Sequence, residues 1–115
     1  MNDLNSIFIV GRLAADPEIK PAKSGLKVLV LRIANHHYSF DEEKKEYAEE
    51  TGFYRVVIFG RQAEKWGGAL KKGQRIGVNG RLSQDTWDAK EGGKKTRDSI
   101  IAYAVQLLDV TQPAA

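Results

Sequence analysis

FYRVVIFGRQAEKWGGALKKGQRIGVNGRL, residues 53–82, contains a change of period that decides the fold. Phe53–Phe59 is rich in aromatic and β-branched residues and reads as a strand. From Arg61 to Lys72, Ala63, Trp66 and Leu70 recur at helical spacing, and the pattern stops at Gly73. Gly67-Gly68 weakens that helix by about 1 kcal/mol per glycine. Period two then returns in Arg75–Ser83. The stretch is therefore strand, short helix, strand.

Working outward, Ser6–Leu13 (SIFIVGRL) and Lys27–Asn35 (KVLVLRIAN) read as two earlier strands, separated by the turn formers Asp16-Pro17 and Ser24-Gly25. A last strand, Ser99–Asp109, follows a loop containing Gly92-Gly93. Three strands, a helix and two strands in 115 residues predict an all-β domain, a five-stranded OB-fold barrel with the helix plugging one end between strands three and four. The expected boundaries are one domain over 1–110 and a short C-terminal end over 111–115.

Hydrophobic residues make up 42% and charged residues 29% of the chain, a globular balance that excludes wholesale disorder. The absence of cysteine excludes a disulfide framework and thiolate metal sites. The apolar run Ser99–Val110 falls short of the roughly 20 residues of a membrane-spanning helix. Met1–Leu4 has no basic region ahead of a long apolar stretch, so no signal peptide is expected. A cytoplasmic protein off the membrane is the expectation. Net charge is +3, but Asp41–Glu50 sets six acids against Lys44 and Lys45, a local −4 that leaves +7 on the rest. A basic body of that kind is compatible with a polyanion.

Ile7–Val10 and Ile100–Val105 are apolar on both faces. A small barrel buries only the inward one, so the outward faces point to a homo-oligomer.

Strand three carries the candidate chemistry. Alternation puts Tyr54, Val56 and Ile58 on a core face and Phe53, Arg55, Val57 and Phe59 on the other. Two rings flanking a guanidinium suit unpaired nucleic-acid bases, which stack on aromatics while arginine holds phosphates. Trp87 is read as following the fourth strand and opening a loop with Lys90, Lys94, Lys95 and Arg97. In an OB barrel that loop is a usual oligonucleotide contact. Tyr38 and Phe40 form a further aromatic pair at the start of the long connection between strands two and three. Trp66, in contrast, reads as a lid on the barrel end. His36-His37 has no spaced partners and makes a poor metal site. No nucleophile or phosphate-loop pattern is present, so no enzyme activity, metal or cofactor is expected.

IFIVGRLAADPEIK (Ile7–Lys20), FYRVVIFGRQAEKW (Phe53–Trp66), LKKGQRIGVNGRL (Leu70–Leu82) and Trp87 resemble the bacterial single-stranded DNA-binding protein (SSB) family over about residues 4–109. The most specific matches are Gly11-Arg12-Leu13 with Asp16-Pro17-Glu18, and Val56–Arg61. The resemblance implies an OB-fold homotetramer that coats single-stranded DNA without sequence specificity in replication, recombination and repair. It implies stacking on Phe53, Phe59 and Trp87, and Arg12 and Arg61 lie in the matched stretches and join the nucleic-acid-binding set. Position 39 is serine where the family commonly has tryptophan, so Tyr38 or Phe40 would substitute. Ser83–Thr86 is neutral to acidic where members carry basic residues. The family's acidic, Phe-ending tip, through which replication and repair proteins are recruited, has no counterpart before Ala115, which leaves those partners in question. Two other readings remain: an SSB-like primosomal replication-restart protein, and a protein–protein oligomerisation module.

Overall fold

The computed structural model describes residues 2–21 and 25–109. The elements are β1 (Ile7–Leu13), β2 (Glu18–Pro21), β3 (Lys27–Asp41), β4 (Glu46–Phe59), α1 (Arg61–Gly67), β5 (Arg75–Asp88) and β6 (Lys94–Leu107). The strands form one sheet in the order β1-β5-β6-β4-β3-β2, and pairing of β1 with β3 at Arg12↔Ala34 and Leu13↔Ile33 closes it into a barrel. All pairings are antiparallel except β4 with β6, which run parallel at Val56↔Ile100 and Val57↔Ile101. Five long strands make the barrel and α1 lies between β4 and β5, where the period change placed it.

Alternation fills the interior with Leu13, Leu29, Leu31, Ile33, Val56, Ile58, Ile76, Val78 and Ile100, all buried. Ala63 of α1 and Leu70 after it cap the interior, and Trp66 packs against it while staying partly exposed. Closure requires glycine at position 11: a Cβ there would lie 2.5 Å from the Ala34 carbonyl oxygen, inside contact distance.

Several boundaries differ from the sequence reading. The helix ends at Gly67, where Gly67-Gly68 outweighs the spacing that continues to Leu70. Glu18–Pro21, between the turn formers Asp16-Pro17 and Ser24-Gly25 and assigned no element from sequence, pairs with Val30–Lys27 of β3 as a short edge strand. The long connection after strand two is no loop. β3 and β4 continue past the barrel as a hairpin paired through Asp41↔Glu46. Asp41 Oδ1 accepts hydrogen bonds from the backbone N–H groups of Glu43 (3.0 Å) and Lys44 (3.3 Å), closing the turn. β5 and β6 likewise extend to Asp88↔Lys94, so Trp87 sits on a strand rather than in a loop. Charged and polar residues in both extensions masked their alternation, because neither arm has a core to face.

Two residues keep their expected faces but differ in burial. Tyr54 shares the inward face but lies beyond the packed interior, 43% exposed. Val57, on the outward face, is nonetheless 5% exposed.

Candidate nucleic-acid interface

Residues paired across neighbouring strands project to the same side of a sheet. The register of β3 with β4 therefore writes out one outer surface: Val28/Phe59, Val30/Val57, Arg32/Arg55, Ala34/Phe53, His36/Thr51, Tyr38/Glu49 and Phe40/Tyr47. Phe53, Phe59, Tyr38 and Phe40, predicted from separate stretches, share this surface, and Tyr47 joins them. Phe40 and Tyr47 rings are 5.1 Å apart and tilted by 58°. From Tyr47 to Phe59 the strand runs at most about 40 Å. The other face of the extended hairpin holds His37/Glu50 and Asp41/Glu46, and Glu42 and Glu43 sit in the turn. Of the six acids in the run, only Glu49 lies on the aromatic side. There, His36 Nδ1 contacts Thr51 Oγ1 at 2.8 Å and lies 3.4 Å from Glu49.

The surface continues onto β6 and β5. Arg55 donates to the hydroxyl of buried Ser99 at 2.9 Å. Ser83/Ser99, Asp85/Arg97 and Trp87/Lys95 then face the same way. The Arg97 guanidinium lies 5.4 Å from the Trp87 ring centre, and that of Arg32 lies 5.1 Å from Phe53. Phe53, Phe59 and Trp87 are about half exposed, whereas a packing role would bury them.

Arg32 and Arg55 are direct cross-strand partners, an arrangement that like charges destabilise. Among the described residues no carboxylate lies within 4.0 Å of either. Partial burial, then the nearby Arg97, depress the Arg55 pKa, with Asp85 opposing. The third guanidinium, that of Arg97, has Asp85 3.9 Å away, so Arg32 and Arg55 are the two of the three left without a carboxylate in salt-bridge range among the described residues.

Other predicted residues fall elsewhere. Register puts Lys94 on the face opposite Trp87, paired with Asp88, whereas Lys90 and Lys95 border the same depression as Trp87. Arg12 turns its guanidinium to the Gly73 carbonyl at 3.0 Å and lies 3.7 Å from Asp109. Arg61 stands exposed at the start of α1, beyond Phe59. The sequence reading missed Arg32 and Tyr47. Pairing Tyr38 and Phe40 across a turn at Asp41–Lys45 would have found both, since that register sets Tyr47 against Phe40 and Arg32 against Arg55.

A closed barrel with a helix at one end and an outer face of exposed rings and arginines defines an OB-fold binding domain. Residues 4–108 match the single-strand binding protein family. The chain belongs to that family. It is 39% identical over 106 residues to a single-stranded DNA-binding protein of Aquifex aeolicus (strain VF5), covering 92% of this chain and 71% of that one. It is 38% identical over 106 residues to one from Thermus aquaticus, of which it spans only 39%, using 92% of its own length. Among solved structures, the Plasmodium falciparum SSB complex with ssDNA superposes with a TM-score of 0.85 at 26% identity, covering 95% of this chain and 98% of that one.

Proposed function

We propose that this chain binds and protects single-stranded DNA with little dependence on sequence, in replication, recombination and repair, and acts by binding without a catalytic step. The observation that carries the reading is the outer face on which Phe53, Phe59, Tyr38, Phe40 and Trp87 alternate with Arg32, Arg55 and Arg97. Bases of an unpaired strand expose π-faces to such rings, worth roughly 1–3 kcal/mol each, and the guanidinium groups take the phosphates between them. Arg32 over Phe53 and Arg97 over Trp87 present stacked planes on which a base can lie. Lys90 and Lys95 extend the basic path beside Trp87, and Arg61 extends it past Phe59. Duplex DNA offers no free base faces. The family match and the DNA-bound solved neighbour support the same reading.

The binding unit in this reading is one domain over 1–110 working as a homotetramer in the cytoplasm. Its support is the outer side of β1, where Phe8 is 80% exposed beside Val10 above a floor of Gly77, Asn79 and Ala104. No helix among the described residues is long and apolar enough to cross a membrane. The test is fluorescence anisotropy of labelled oligo(dT) of about 16 nucleotides, the upper site size of one OB fold, against a duplex of equal length. Strong preference for the single strand is the expected result; equal affinity for the duplex refutes the proposal.

A further inference from the structure

We infer that the bound strand, on leaving the hairpin face at Phe59, crosses β6 and stacks a further base on Tyr103, with Arg81 taking a phosphate beside it. The inference rests on the strand-binding reading above. It begins from the parallel register, in which Val57 and Ile101 are partners on the outer side. Two residues further along both strands, on that same side, come Phe59 and Tyr103. The two segments stay together past the last pair: Gln62 Nε2, three residues after Phe59, donates to the Tyr103 carbonyl oxygen at 3.1 Å. Phe59 is 48% and Tyr103 54% exposed. A bulge sets Tyr103 there. Gly80 faces Ala102 and Asn79 faces Ala104, so Tyr103 is the extra residue on β6 and lies outside together with Ala104. Bulges of this kind re-aim a side chain. Glycine at position 80 permits it, since a Cβ there would run into the Ile101 carbonyl oxygen.

The cations needed for phosphates are present. Arg81 is the β5 partner of Ile101, so it shares the outer side, and it is exposed. Among the described residues no carboxylate lies within 4.0 Å of it. Arg61, also exposed, precedes the Gln62 that holds the Tyr103 backbone. A ring with guanidinium groups nearby repeats the composition of the hairpin face, and it is equally indifferent to base identity. The opposite exit from Phe59 is chemically poorer. There the row continues through Val28 to Lys20, whose ammonium lies 3.6 Å from Glu18, and β2 carries no ring. Tyr103 also stands apart from the apolar side of β1: the depression beside Phe8 is lined by Ala104 but not by Tyr103.

The experiment titrates Tyr103→Ala, Tyr103→Phe and Arg81→Gln with labelled oligo(dT) of about 16 nucleotides, by anisotropy over a range of salt. Each variant is also followed by thermal melting and light scattering. Tyr103→Ala should weaken binding by about fivefold or more, the loss of one stacked base. Tyr103→Phe, which keeps the ring, should bind as the parent does. Arg81→Gln should lower the slope of log K against log salt by about 0.7. Assembly and melt should be those of the parent in all three. Photocrosslinking of the parent to oligo(dT) carrying 5-iodouracil should recover the peptide containing Tyr103. Parent-like affinity in Tyr103→Ala, or an unchanged salt slope in Arg81→Gln, overturns the crossing while leaving the hairpin face intact. A smaller or larger species for Tyr103→Ala overturns it too, since the ring would then pack against a second copy of the chain. Failure of the parent to bind oligo(dT) overturns the strand-binding reading and the crossing with it.

Discussion

Replacing Arg32 by Gln removes one of two guanidinium groups that face each other across β3 and β4, and the structure fixes what should follow. Two effects on stability oppose each other. Loss of the contact over Phe53 costs about 0.5–1 kcal/mol at an exposed site. Relief of the like-charge pair with Arg55 returns roughly 0.2–1 kcal/mol. The thermal midpoint should therefore stay close to that of the parent protein. Binding has no such cancellation. One phosphate contact fewer lowers the slope of log K against log salt by about 0.7 for a single strand. Between about 50 and 200 mM salt, the parent should then lose roughly 2.5-fold more affinity than the variant. Anisotropy titrations of labelled oligo(dT) across that range, with a thermal melt of each protein, measure both quantities. An unchanged salt slope would show that Arg32 does not meet the backbone. A midpoint several degrees lower would show that Arg32 serves the fold.

Trp87→Ala should weaken single-strand binding by roughly 1–3 kcal/mol, measured by the same titration, and barely move the melt, since the ring is half exposed at a strand end. Trp66→Ala should do the reverse: about 2–3 kcal/mol less stable by urea denaturation, below the fully buried range because the ring is only partly covered, with DNA affinity of the folded protein unchanged. Gly11→Ala should destabilise by at least about 1–3 kcal/mol in the same denaturation, because the new Cβ meets a backbone carbonyl that closes the barrel. Phe8→Glu should shift the protein to a smaller species by light scattering while the melt of the domain survives; an unchanged assembly would show that the outer side of β1 is not an interface.

The barrel was legible because its interior strands alternate cleanly. Leu29-Leu31-Ile33 and Val56-Ile58 announce both the strands and their inward face, and Ala63 with Leu70 announces the helix that caps them. What escaped is what no interior dictates. The β3–β4 arm past Asn35 carries polar residues on both sides, so the pattern that marks a half-buried strand is absent, and Tyr38 and Phe40 were assigned to a connection. Their placement beside Phe53 follows from the register of the hairpin, a long-range quantity set by the Asp41 turn. For the same reason the four cations near Trp87 could not be sorted by face. Only the antiparallel register with β6 separates Lys94 from Lys95 and Arg97. The site's rings were therefore readable as a set, while its pairing of Arg32 with Arg55 required the fold.

Stacking of bases on the outer face can be observed directly, because the protein has only two tryptophans and one of them, Trp87, lies on that face. In a Trp66→Phe variant, Trp87 is the sole source of indole emission. Titrating it with oligo(dT) while following both intrinsic fluorescence and anisotropy should give saturable quenching that tracks binding point for point, because the ring is in contact with bases. Binding by anisotropy with indole emission unchanged would contradict the account: the strand would then lie elsewhere on the barrel.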